Sequence, residues 1–184
     1  MRKLIMWNNV TLDGFFEGSK SWEIDWFQSV WGDELKRFSL EQLRSADMLV
    51  FGRVTYEGLA AYWQTAKGED ADFMNRLPKI VFSRTLARAD WMNTTLVKNN
   101  LVGEIQKFKR QGEGNMFVFG SGDLSAALIE HGLFDEYRLC LNPLLLGHGK
   151  TLFATNPRRL RLKLLEARPL SSGCVILRYE PQGS

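Results

Sequence analysis

Histidine and cysteine are scarce in this sequence, with two of each among 184 residues. That scarcity removes several function classes at once. Neither Cys140 nor Cys174 has a second cysteine or a histidine at metal-ligand spacing, so no metal site can be written from the chain. Both lie in apolar, strand-like runs and read as buried thiols, with a disulfide between them as the alternative. Charge of one sign is missing too. The 24 Lys and Arg oppose 21 Asp and Glu, and the net +3 is spread along the chain without a basic block, so nucleic acid is not an expected partner. No apolar run approaches the roughly 20 residues that cross a bilayer. The opening segment, Met1 to Val10, is broken by Asn8 and Asn9 and lacks the apolar stretch of a signal peptide. No membrane partner is expected, and a reducing, cytoplasmic setting is. No linker rich in Pro, Gly and Ser divides the chain, and a hydrophobic content of 45% can bury a substantial core, so one domain over residues 1–184 is expected.

What is present is an alternation of short apolar runs with helical spacing. Leu4 to Val10 reads as a strand that empties into the turn Thr11-Leu12-Asp13-Gly14. Phe15 to Asp33 reads as a long loop with room for a short helix. Helices are then expected over 34–45, 54–62, 101–110 and 125–131, and strands over 48–51, 79–82 and 115–119. After Gly132 the helices stop, and 137–141, 160–167 and 174–180 read as strands. Asn156-Pro157 and Ser171-Ser172-Gly173 read as turns. The pattern predicts an α/β fold in three layers, with a mostly parallel central sheet and antiparallel C-terminal strands.

In such sheets ligands settle at the carboxyl ends of strands, where helix N-termini attract anions. Three segments fall there. In Gly52-Arg53-Val54-Thr55, Gly52 lets backbone approach a phosphate while Arg53 and Thr55 can donate to it. Ser83 and Arg84 offer hydroxyl and guanidinium donors suited to the 2′-phosphate of NADPH. Gly120-Ser121-Gly122-Asp123-Leu124 begins as G-x-G-x-x-G, but Ser125 takes the last position. Each alone also reads as a packing turn or a solvated arginine; their succession at three strand ends favours a nucleotide site. Gly147-His148-Gly149-Lys150-Thr151 imitates a phosphate-binding loop of ATPases, but Leu144 stands where that loop needs glycine. Trp22, Trp26, Phe27 and Trp31 read as substrate wall, core or dimer interface.

In this order the motifs resemble the superfamily that joins dihydrofolate reductase to the RibD C-terminal reductase domain of riboflavin biosynthesis. Thr11-Leu12-Asp13-Gly14, Gly52 to Glu57, Ser83-Arg84 and Gly120-Ser121-Gly122 resemble its successive motifs, and Asp135-Glu136-Tyr137 with Pro143 to Gly149 resembles the RibD-type ending. The resemblance implies a dihydrofolate-reductase-like fold, NADPH as cofactor, a small-molecule substrate and a homodimer. It implies that Asn9, Val10 and Thr11 border the nicotinamide and that Asp13 stands near its ribose or the substrate as a candidate catalytic residue. Two departures bear on the substrate. Lys36 occupies the place of the carboxylate that assists protonation in dihydrofolate reductases, with Asp33 and Glu34 a turn away. The zinc deaminase motif that accompanies the bifunctional riboflavin enzyme is missing from the sequence. The expected function is NADPH-dependent reduction of a pterin- or pyrimidine-like heterocycle, with 5-amino-6-(5-phosphoribosylamino)uracil as one substrate to consider. Dihydrofolate reduction is the alternative activity, and a nucleotide-binding sensor or interaction module without turnover is the alternative class.

Overall fold

The strands that form the centre of the molecule are those whose apolar residues run without alternation, because both of their faces are covered. In the computed structural model, which describes residues 1–153 and 159–183, eight strands form one sheet. They are β1 (Lys3–Thr11), β3 (Ala46–Gly52), β4 (Lys79–Phe82), β5 (Thr94–Val97), β6 (Asn115–Phe119), β7 (Glu136–Asn142), β9 (Leu162–Pro169) and β10 (Val175–Pro181). Their order is β5-β4-β3-β6-β1-β7-β10-β9. Pairing is parallel from β5 through β7 and antiparallel from β7 to β10 and β9. The expected architecture, with an antiparallel C-terminal portion, is the one observed. The turn read at Asn156-Pro157 lies outside the described residues.

Alternation along the central strands sorts the core into two halves. Ile5 and Trp7, Leu49 and Phe51, and Phe117 pack on one face against α1 (Asp33–Arg44), α2 (Arg53–Trp63) and α3 (Glu69–Arg76). Leu4 and Met6, Val50, and Met116 and Val118 pack on the other against α4 (Leu101–Arg110) and α5 (Gly122–Glu130). Each such side chain, fully buried, contributes about 1.5–3 kcal/mol of transfer free energy. The result is helix, sheet, helix in three layers.

Four elements were not expected from the sequence. Helix α3 is short, with only Ala71 and Met74 buried, and Glu69, Asp70 and Asp72 in the first turn and Arg76 in the last complement the helix dipole. Strand β5 is a four-residue edge strand. The loop after Gly14 carries β2 (Phe15–Glu17), paired with β8 (Lys150–Thr151), while the short helix for which the sequence left room is a 3₁₀ helix, Asp25–Val30. Cys140 and Cys174 are both free and fully buried. Burial, and then the neighbouring Cys174, push the Cys140 thiol far above the usual range, so it is inert. Among the described residues no helix is long and apolar enough to cross a membrane.

Candidate active site

The carboxyl ends of β1, β3, β4 and β6 open into a cleft of about 590 Å³. Two helices start on its wall. Helix α2 begins at Arg53 after Gly52, and α5 begins at Gly122 after Ser121, and neither N-terminus has a side-chain cap. Their first backbone N–H groups have no intrahelical acceptor and present partial positive charge to anything bound there.

The two turns are locked to each other. The Gly52 N–H donates to Ser121 Oγ at 2.9 Å, and the Ser121 N–H donates to Thr55 Oγ1 at 3.0 Å. Thr55 and Ser121, read from the sequence as cofactor ligands, thus also hold the two helix starts at a fixed spacing. The left-handed backbone belongs to Gly120 and Ser121, both with φ of +57°. Gly122 is not in that region; a Cβ there would instead sit 2.8 Å from Phe16 Cζ, in the cleft wall. Arg53 lines the cleft while its guanidinium pairs with Glu57 one turn along α2, at 2.9 Å. Asp123 and Leu124 complete this side of the cleft.

Much of the remaining lining is aromatic. Trp7, Phe16, Trp22, Trp26 and Phe27 line it, whereas Trp31 packs edge-on against Phe27 at 5.2 Å between ring centroids and is not part of the wall. Trp22 has φ of +67°, a left-handed conformation that costs a bulky residue about 1–3 kcal/mol. Its indole packs against α2 at Gly58, where a Cβ would fall 2.0 Å from Cζ2. Gly58 therefore provides the notch that receives the ring.

On β1 the structure brings only part of the expected segment to the cleft. Asn9 lines it, together with Trp7 and Asn8, which sequence reading passed over. Asn8 Nδ2 and Asn9 Oδ1 are buried without a hydrogen-bond partner. Val10 is instead packed in the core beside α5, and Thr11 is fully buried beneath the turn. Asp13 is exposed and outside the cleft lining. Its carboxylate accepts from Thr11 Oγ1 at 2.6 Å and from the Leu146 and Gly147 N–H groups. The Thr11 bond, outweighing burial, and then the two amides hold its pKa at about 2. Asp13 is thus an ionised clamp on the loop before β8 and has no proton to give at neutral pH. Helix α1 contributes nothing to the cleft lining, and Lys36 on it is exposed.

Beyond Ser83, Phe82 and Leu124 the cleft continues into a hollow of about 380 Å³. Arg84 lies there, and so does Lys98, a cation that sequence reading missed because β5 was missed. Ser83 Oγ accepts from the Thr85 and Leu86 N–H groups, shaping the turn that presents Arg84.

A family model described as the RibD C-terminal domain matches residues 2–176. YyaP of Bacillus subtilis (strain 168), an uncharacterized protein, is 33% identical over 189 residues, covering 99% of this chain and 96% of that one. Among solved structures, one from Shewanella sp. PV-4, provisionally assigned to riboflavin biosynthesis, superposes with a TM-score of 0.83 at 21% identity, over 98% of this chain and 99% of the other. Dihydrofolate reductase from Enterococcus faecalis, in complex with NADP(H) and RAB-propyl, superposes with a TM-score of 0.68 at 16% identity, over 98% and 97%. These superpositions establish a dihydrofolate-reductase-like fold. With the family match running along almost the whole chain and a relative one-third identical over nearly its full length, the chain belongs to the RibD C-terminal domain family.

Proposed function

We propose that the protein is an NADPH-dependent reductase of a small heterocyclic substrate related to pterins or pyrimidines. The observation that carries this reading is the meeting of two uncapped helix N-termini with an aromatic wall in one cleft. The cleft volume falls within the roughly 300–1,000 Å³ common to small-molecule sites. The residues present fit the cofactor. Gly52, Arg53 and the turn from Gly120 to Leu124 would hold the pyrophosphate, Arg84 and Lys98 the adenosine phosphate, and the unpartnered amides of Asn8 and Asn9 the nicotinamide end. When bound, NADPH supplies the hydride, and the protein supplies alignment and exclusion of water. NADPH oxidation measured with 5-amino-6-(5-phosphoribosylamino)uracil and with 7,8-dihydrofolate tests the reading. Tight NADPH binding with no turnover of either, or of a wider metabolite set, favours instead a sensor on the same fold.

NADPH should bind more tightly than NADH. A charge-assisted hydrogen bond contributes about 1.5–3 kcal/mol, so Arg84→Ala and Lys98→Ala should each reduce the preference about tenfold or more. Equal affinities for the two cofactors in the parent protein would remove the basis of this assignment.

The working unit proposed is a homodimer in the cytoplasm. Strand β9 ends the sheet and exposes Leu162, Leu164 and Leu165. An apolar edge strand is ordinarily blunted or covered, and a second copy covers it symmetrically. Light scattering at micromolar concentration should report a dimer that Leu164→Lys dissociates; a monomeric parent contradicts the proposal.

A further inference from the structure

Reducing a C=N bond requires a proton as well as a hydride, and the elements so far described provide no donor. Asp13 is a clamp, Lys36 is on the solvent side of α1, Arg53 is tied to Glu57, and Asp123 is exposed in the first turn of α5, at the turn assigned above to the cofactor pyrophosphate. On the aromatic side of the cleft, the titratable groups among the described lining residues are Glu17 and Lys150. They face each other across the β2–β8 pair, with Lys150 Nζ 2.6 Å from Glu17 Oε2. The close approach is built in. Gly149 has φ of +146°, and a Cβ there would lie 2.3 Å from the Glu17 carbonyl oxygen, so a larger residue would force the strands apart. The other Glu17 oxygen accepts the Trp22 N–H at 2.5 Å, and Lys150 Nζ also reaches Ser21 Oγ at 3.4 Å. The carboxylate is mostly buried, while the Lys150 side chain remains half-exposed.

We propose that Lys150 is the catalytic acid of this site and that Glu17 positions it. The inference rests on the reductase reading above. As the imine carbon of the substrate accepts the hydride that a dihydronicotinamide supplies, the C=N π pair collects on nitrogen. An Nζ–H bond of Lys150 breaks, and that proton forms the new N–H bond. Lys150 is left as a neutral amine hydrogen-bonded to the Glu17 carboxylate, and its exposure lets water return the proton. The substrate class is therefore an imine or a cyclic C=N compound. Its ring lies against the aromatic wall, and the acceptor nitrogen is on the β8 side.

Lys150→Arg tests this, since arginine keeps the ion pair to Glu17 but does not release its proton near neutral pH. The measurements are NADPH affinity by fluorescence, binding of 7,8-dihydrofolate and of 5-amino-6-(5-phosphoribosylamino)uracil to the NADP⁺-loaded protein, and NADPH oxidation with each. In protein labelled with ¹³Cε-lysine, the Lys150 resonance is identified by its loss in the variant. The expected result is parental folding and cofactor affinity and an unchanged KM. It also includes a kcat lower by about a hundredfold or more, the usual share of general acid catalysis, and a Lys150 resonance that moves when the turned-over probe binds. Glu17→Gln should lower kcat less than Lys150→Arg. A Lys150→Arg protein that turns over at the parental rate, or a Lys150 resonance unmoved by the bound probe, overturns the assignment of the acid. A parent that binds NADPH but oxidises it with no substrate overturns the reductase reading itself.

Discussion

Gly122→Val is expected to lower NADPH affinity by about a hundredfold while leaving the protein folded. Gly122 is the first residue of α5 and lines the cleft. A Cβ there meets Phe16 Cζ at 2.8 Å, and the two methyls of valine extend further. Either the Phe16 ring moves into the space the cofactor would use, or the α5 start retreats from it. Overpacking of this kind costs about 1–3 kcal/mol, and the upper part of that range is a hundredfold in affinity when it falls on the bound state. Phe16→Leu in the same chain should restore part of the loss, because it removes the ring the valine meets. The check is cofactor titration beside thermal unfolding. A folded Gly122→Val protein with parental affinity would remove the α5 turn from the site. Gly120 differs in kind. Its φ of +57° makes any side chain strained there, so Gly120→Val is expected to lose stability first.

Glu136→Ala is expected to be the most destabilising single change outside the apolar core, by about 3–5 kcal/mol, since it strands buried charge. Glu136 on β7 is buried and accepts from Arg138 at 2.7 and 3.1 Å and from Arg178 on β10 at 2.7 Å. Arg138 also donates to the buried Gln42 of α1, and Arg178 continues to Glu166 on β9. One carboxylate thus organises two guanidiniums that join α1 to the antiparallel end of the sheet. For a chain of this size each kcal/mol moves Tm by about 2–4 °C, so a fall on the order of 10 °C is expected in a thermal melt. A melt within two or three degrees of the parent would show the network to be dispensable. Burial raises the Glu136 pKa, but the bonds and charges of Arg138 and Arg178 outweigh it, and the folded pKa lies below the usual range. The unfolded chain therefore takes up this proton at higher pH than the folded one. The Glu136 contribution is complete above the ordinary glutamate pKa of about 4.3 and is lost as pH falls through its depressed folded value. Glu136→Gln should flatten that part of the acid unfolding curve.

The order of helices and strands was legible because the central strands are short apolar runs separated by segments long enough to form helices. Helix α3 was lost because the eight-residue run Glu69-Asp70-Ala71-Asp72-Phe73-Met74-Asn75-Arg76 buries only two positions, Ala71 and Met74, too few to show a repeat. Strand β5 was lost because it has only four residues, Thr94–Val97, set between the turn-forming Asn93 and Asn99-Asn100. With β5 went Lys98, since a residue at a strand end cannot be placed in a site before the strand is known.

By itself the sequence determined the layered α/β architecture, the antiparallel ending and the glycine turns at the ends of β3 and β6. These follow from local spacing and from backbone chemistry that only a few residue types supply. Tertiary structure decided which of the named side chains face the cleft. Strand alternation sent Val10 into the core, hydrogen bonds to Leu146 and Gly147 made Asp13 a clamp, and the Gly58 notch drew Trp22 across to α2. It also set Glu17 against Lys150, residues separated by 132 intervening positions, through a two-strand pairing too short to leave a periodic trace. A side chain's role depends on what lies opposite it, and for partners so distant in the chain that is fixed only when the strands pair.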